Sequence, residues 1–168
     1  MEILPPNKHQ NLYGHESLEE NFVNSWYNKK IPHSIILSGE KGIGKSTLAY
    51  KIARFILYKS SLNNEINQIS FNEKSKYQNN LNIPENSQLF KEISLNINQN
   101  FFVIDKKNNE QDTVNNEIIV DDIRSLKLFF EKKSINNSWR IAIIDNADDL
   151  NINASNALLK LLEEPPID

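Results

Sequence analysis

Apolar positions along the chain recur with two different spacings. In "ESLEENFVNSWYNKK" (16–30), Leu18, Phe22, Val23 and Trp26 fall on one stripe of a helix. In "HSIILSG" the apolar run Ile35 to Leu37 is short, continuous and bounded by Pro32 and Gly39, the pattern of a buried strand. "KSTLAYKIARFILYKS" returns to helical spacing, with Leu48, Ile52, Phe55 and Ile56 on one face. "FFVID" (Phe101 to Asp105) and "WRIAIID", which ends at Asp145, predict two further strands. Between them, "IIVDDIRSLKLFFEKKS" predicts a short extended piece and then a helix from about Asp121, with Ile123, Leu126, Phe129 and Phe130 as its stripe. Asp121 and Asp122 suit that helix's N-terminus, and Lys132 and Lys133 its C-terminus. "NASNALLKLLEE" predicts a last helix, stopped by Pro165 and Pro166. Strands alternating with helices indicate an α/β fold with a parallel sheet.

Two stretches break the pattern. Residues 60–100 are polar, rich in asparagine and without glycine, and read as an irregular or partly helical, mobile insert. "KKNNEQDTVNNE" (106–117) reads as a polar loop. There is no internal repeat.

Composition narrows the classes. A chain of 168 residues is one domain by length. A net charge of -3 offers no overall attraction to nucleic acid, so any such contact must be a local patch. Without cysteine there are no disulfides or thiolate metal sites, and His9, His15 and His33 have no ligand spacing, so no zinc is expected. No apolar run approaches the about 18–20 residues that span a bilayer. "MEILPPNKHQ" is not a secretory signal, so a cytoplasmic protein without a membrane partner is expected.

"GEKGIGKS" (39–46) fits G-x-x-x-x-G-K-[ST] without a mismatch, between a predicted strand and a predicted helix. Gly39, Gly42 and Gly44 allow the backbone, with Glu40, Lys41 and Ile43, to wrap around phosphates with its N–H groups inward. The helix N-terminus adds partial positive charge. Lys45 can reach the β and γ phosphates of ATP or ADP, and Ser46 can ligate Mg2+. Thr47 adjoins the loop, with no role fixed by the sequence. Asp145, at the C-terminal end of a strand, fits a second position on the Mg2+. Asn146 stands where an ATPase of this kind usually has glutamate. An amide can orient water but does not usefully accept its proton, and Asp148 lies where the chain is already turning. Slow or absent hydrolysis is expected.

"GEKGIGKST", "IIVDDIR", "WRIAIIDNADDLN" and "NASNALLKLLEEPP" together resemble the delta-prime subunits of bacterial DNA polymerase III clamp loaders, members of the AAA+ P-loop ATPases. "NALLKLLEEPP" is the most specific segment and is shared with gamma/tau subunits. "NLYGHE" (11–16) resembles the box lying near adenine in these ATPases, which makes Tyr13 and Gly14 candidate base contacts. The resemblance covers nearly the whole chain and is weakest over residues 60–100. It implies a three-layer fold, with helices on both faces of a parallel sheet of strand order 5-1-4-3-2. It also implies a stator role in a ring that loads the sliding clamp on primed DNA. Partners would be the gamma/tau and delta subunits, with DNA touched indirectly or through a patch of Arg124, Lys127 and Lys132. A solvated helix face is the commoner explanation of such a patch.

Family members continue past "EEPP" with a sensor strand, an arginine-finger motif, a lid and a collar. The chain is therefore expected to be an incomplete AAA+ domain, a fragment of a longer protein, with two sheet edges lacking a strand between them. Two other readings stand beside the stator: an active gamma/tau-type clamp-loader ATPase, and an unrelated P-loop kinase.

Overall fold

The computed structural model describes residues 4–65, 80–105, 117–134 and 138–165. The chain divides into two compact units, Met1–Asn98 and Gln99–Asp168.

In the first unit, a 3-10 turn (Pro6–Lys8) leads to α1 (Glu16–Tyr27), α2 (Lys45–Glu65) and α3 (Gln88–Ser94). Helix α2 is its centre. Leu48, Phe55 and Ile56 are buried as the apolar stripe predicts, but Tyr50, Ala53 and Leu57 on another side are buried too. A helix covered on several sides is a core helix. Trp26 of α1 meets Phe55 edge-on, with ring centroids 5.9 Å apart. Ser87 caps α3, its hydroxyl accepting from the Phe90 N–H at 3.2 Å.

Two charged residues of α2 are also buried. Lys51 donates to Glu19 of α1 at 2.5 Å, and the other Glu19 oxygen accepts from the Leu81 N–H at 3.0 Å. Arg54 is 1% exposed. It donates to the carbonyls of Asn7 and His9 and lies 4.6 Å from the centre of the Phe90 ring. Its burial lowers its pKa to about 10, so it remains charged at neutral pH.

The first unit corrects two expectations, and over the described part of 60–100 it is partly helical, as read from the sequence. Residues 35–37 form no strand, and Ile35 and Ile36 are exposed. A strand is held by its neighbours, and no described segment pairs with this one. Leu18, expected on the core stripe of α1, is 50% exposed, and Glu19 takes the buried position beside it. The stretch 60–100 is less uniformly polar in structure than in composition. It contains the end of α2 and all of α3, and Leu81, Ile83, Phe90 and Ile93 are core residues. Residues 66–79 of that stretch lie outside the described residues.

The second unit is a β–α–β–α arrangement. Strands β1 (Phe101–Asp105) and β2 (Ile141–Asp145) pair in parallel, from Phe101 against Ile141 to Asp105 against Asp145. Parallel neighbours need a crossover, and α4 (Val120–Glu131) supplies it. Helices α4 and α5 (Ile152–Glu163) pack together over a core of Ile104, Ile118, Ile123, Leu126, Phe129, Ala154 and Leu161. Phe102 stacks on Phe129 at 5.3 Å. The described residues thus contain a two-stranded parallel sheet, where three strands were expected. The predicted α4 stripe is in place, with Ile123, Leu126 and Phe129 buried and Phe130 packed against the core. The polar loop expected at 106–117 lies outside the described residues except for Glu117, as does Pro166.

Helix ends in this unit are held by side chains. Asp122 accepts from the Ile119 N–H at 2.9 Å, and Asn151 accepts from the Ala154 N–H at 2.9 Å. Arg140 donates to the Phe129 and Lys132 carbonyls at the end of α4 and sits over the Phe129 ring. These acceptors are the orphan carbonyls of a helix C-terminus.

The Glu19–Lys51 pair yields a stability test. Glu19→Ala strands a buried ammonium and orphans the Leu81 N–H, and should cost roughly 3–5 kcal/mol in urea unfolding. In the Glu19→Gln/Lys51→Met double variant the amide oxygen still serves Leu81, and most of that loss should be absent. A loss below about 1 kcal/mol for Glu19→Ala would mean that the pair behaves as a surface ion pair.

Candidate functional site

The loop 39–47 runs directly into α2. Gly39, Gly42 and Gly44 have φ of 149°, 86° and 101°, values that side chains disfavour. The Leu48 N–H bonds to the Gly44 carbonyl at 2.9 Å. The helical ladder therefore begins there, and helix geometry aims the preceding N–H groups out of the N-terminus. Lys45 Nζ donates to the carbonyls of Gly39 and Glu40, each at 2.8 Å, so the ammonium bridges the start of the loop. Ser46 and Thr47 are half-buried in the first turn, while Glu40, Lys41, Gly42 and Ile43 are exposed. The N–H groups of a helix N-terminus and an ammonium beside them can hold a polyphosphate.

The segment 11–16 lies against this loop. Leu12 approaches so closely that a Cβ on Gly44 would stand 2.5 Å from Leu12 Cδ1. His15 Nε2 is 3.0 Å from the Ile43 carbonyl. A carbonyl only accepts, so that nitrogen carries the proton. Gly14 turns with φ of 80°, and its N–H donates to the Glu16 carboxylate at 3.1 Å. Tyr13, between these contacts, is 83% exposed. The structure thus brings Tyr13 and Gly14 beside the residues 39–47. Leu12 and His15, which make the contacts, were not singled out by sequence. The signal for Leu12 was an apolar residue opposite an obligatory glycine, and nothing local marked His15.

Asp145 and Asn146 belong to the second unit. Asp145 ends β2 half-buried, in register with Asp105 at the end of β1. Alternation along the strands puts both on the sheet face opposite Phe102, Ile104, Ala142 and Ile144, which pack toward α4 and α5. Asn146 is exposed and its carbonyl accepts from the Asp149 N–H at 3.1 Å, closing a 3-10 turn, Ala147–Asp149. Asp148 is exposed in that turn. The turn is pinned by Ile118, whose N–H donates to the Asp149 carbonyl at 2.7 Å and whose carbonyl accepts from the Asn151 N–H at 3.1 Å.

Among the described residues no group of three or more His, Asp or Glu could hold a metal ion. Magnesium takes few protein ligands and keeps phosphate oxygens and water, so a hydroxyl such as Ser46 and a carboxylate such as Asp145 are oxygen donors of the right kind. The basic residues of α4 are partly neutralised locally. Arg124 pairs with Asp121 at 2.6 Å and Lys127 with Glu131 at 3.7 Å, all exposed. No described helix is long and apolar enough to cross a membrane.

The family described as "DNA polymerase III, delta subunit" matches residues 14–168. The chain belongs to this clamp-loader family. It is also 27% identical over 161 residues to the DNA polymerase III subunit gamma of Buchnera aphidicola subsp. Schizaphis graminum (strain Sg). That match covers 96% of this chain and 38% of the gamma subunit's length. No solved structure matches the chain. The clamp-loader family implies the P-loop fold, and the described residues combine helices with a two-stranded parallel sheet.

Gly44→Ala should destabilise the protein by roughly 1–3 kcal/mol, because its φ disfavours a side chain. Leu12 can swing its Cδ1 aside, so adding Leu12→Ala should recover only a small part; full recovery in thermal unfolding would place the cost in the contact instead. A second expectation concerns acid. Hydrogen bonds from its own N–H and then from Gly14 hold the Glu16 carboxyl below its ordinary 4.5. The folded form therefore binds its proton less readily than the unfolded chain. The stabilisation is complete above about pH 4.5 and is lost as pH falls through the folded-state value. Glu16→Gln should remove this component from the acid unfolding profile; an unchanged profile would show that the carboxylate does not contribute.

Proposed function

We propose that this chain is the nucleotide-binding part of a delta-prime-type clamp-loader subunit, binding ATP or ADP with Mg2+ and turning it over slowly. Gly39 to Thr47 would wrap the phosphates, with Lys45 leaving the Gly39 and Glu40 carbonyls for the β and γ oxygens. Tyr13 and Gly14 would flank the base. Ser46 would hold the Mg2+, which neutralises phosphate charge when bound. Asn146 is the observation that carries the slow turnover: an amide at this position orients water without taking its proton. The subunit would then act as a stator beside gamma/tau and delta subunits in loading the sliding clamp on primed DNA in the bacterial cytoplasm. The local pairing of Arg124 and Lys127 favours indirect contact with DNA over a basic patch on α4.

The likeness to a gamma subunit favours a second reading, a catalytically active gamma/tau-type ATPase. Single-turnover hydrolysis separates the two. A stator-type site should bind MgATP, hydrolyse it slowly, and gain at least about tenfold in rate on Asn146→Glu, within the about 10²–10⁴-fold range of general-base catalysis. Lys45→Ala should abolish binding. Rapid hydrolysis by the unaltered protein would establish the gamma/tau reading, and no gain from Asn146→Glu would remove the argument from the missing carboxylate.

A further inference from the structure

The chain before α1 is fastened at two places, to α2 and to the loop that leads into it. At the far end Arg54 donates to the Asn7 carbonyl at 3.3 Å and to the His9 carbonyl. Asn7 also donates through Nδ2 to the Ser94 carbonyl at 2.7 Å, and its own carbonyl accepts from the Ser94 hydroxyl at 2.9 Å. At the near end Leu12 lies on Gly44 and His15 Nε2 on the Ile43 carbonyl. The segment between the two fastenings is short. Arg54 follows Gly44 by ten residues, about 15 Å of helix rise. The three residue steps from His9 to Leu12 reach at most about 11 Å even when fully extended, so the side chains of Arg54 and Leu12 make up the difference. The strap has little slack, and what holds its far end sets where its near end lies.

Resting on the nucleotide reading above, we propose that Arg54 is a positioning residue for base recognition. By holding the main chain of Asn7 and His9 it keeps the Leu12–His15 segment, with exposed Tyr13, against the phosphate loop. The planar guanidinium suits this task. It donates to two separate carbonyls and stacks on Phe90 at 4.6 Å, which an ammonium on a flexible stem does not reproduce. Main-chain acceptors also make the clip independent of the side chains at 7 and 9. A preformed strap removes ordering cost from base binding and leaves phosphate binding untouched.

ADP and UDP share ribose and diphosphate and differ in the base, so titrating each with Mg2+ into the protein isolates the base. Wild type should prefer ADP. Arg54→Gln should weaken ADP about tenfold while changing UDP by less than about twofold. The Asn7→Ala/Ser94→Ala double variant releases the second hold on the same segment, the bonds between Asn7 and Ser94, without touching the buried cation, and should shift the ADP-to-UDP ratio in the same direction. If Arg54→Gln does not fold, the double variant alone decides between the outcomes. An unchanged ratio in either folded variant, a parallel loss of both nucleotides, or a wild type without preference overturns the proposal. A wild type that binds neither nucleotide overturns the nucleotide reading itself, which is a separate result.

Discussion

Lys51 and Arg54 stand one turn apart on α2, and both are almost fully buried. Removing such charges from water costs several kcal/mol each unless each finds fixed partners. That requirement organises the first unit. Lys51 demands a carboxylate, which brings α1 to α2 through Glu19, and Glu19 in turn takes up the Leu81 N–H. Arg54 demands acceptors, which draws in the Asn7 and His9 carbonyls, and its flat face demands a ring, which α3 supplies as Phe90. Apolar burial along α2 provides the adhesion, while the two cations specify which segments may adhere and at what height along the helix.

The glycine-rich stretch 39–44 leads into this helix. Because α2 is the most enclosed element of the unit, its N-terminus is held from several sides. The neighbouring 11–16 segment lies against the residues just before that helix, through Leu12 on Gly44 and His15 on the Ile43 carbonyl. In the second unit the equivalent task falls to backbone pairing. The Ile118 bridge to the turn after β2 and the Asn151 cap hold the chain that follows Asp145 and Asn146.

The chain belongs to the DNA polymerase III clamp-loader family, and its sequence carries both G-x-x-x-x-G-K-S at 39–46 and an aspartate at the end of β2. On the reading proposed above, Asn146 is the position that separates the two kinds of subunit, because a carboxamide differs little from a carboxylate in shape and greatly in proton affinity.

Local pattern determined a good deal. The glycine turns at 39–44, helices α1, α2, α4 and α5, and strands β1 and β2 all follow from spacing, because periodicity and turn chemistry act over a few neighbouring residues. Tyr13 and Gly14 were singled out, as candidate base contacts, only through a resemblance. Other features depended on partners far away in the chain. Ile35 to Leu37 has the composition of a strand, yet strand formation is a property of a pair, and no described segment pairs with it. Glu19, Lys51 and Arg54 look like solvated charges in sequence. Their burial was decided by contacts 32 to 62 residues away, which no local spacing encodes. The sequence by itself set the G-x-x-x-x-G-K-S stretch and the carboxamide at Asn146, since both are statements about residue type. Only the tertiary structure decided how the strap is held to α2, because a buried charge takes whatever partner the folded chain can bring to it.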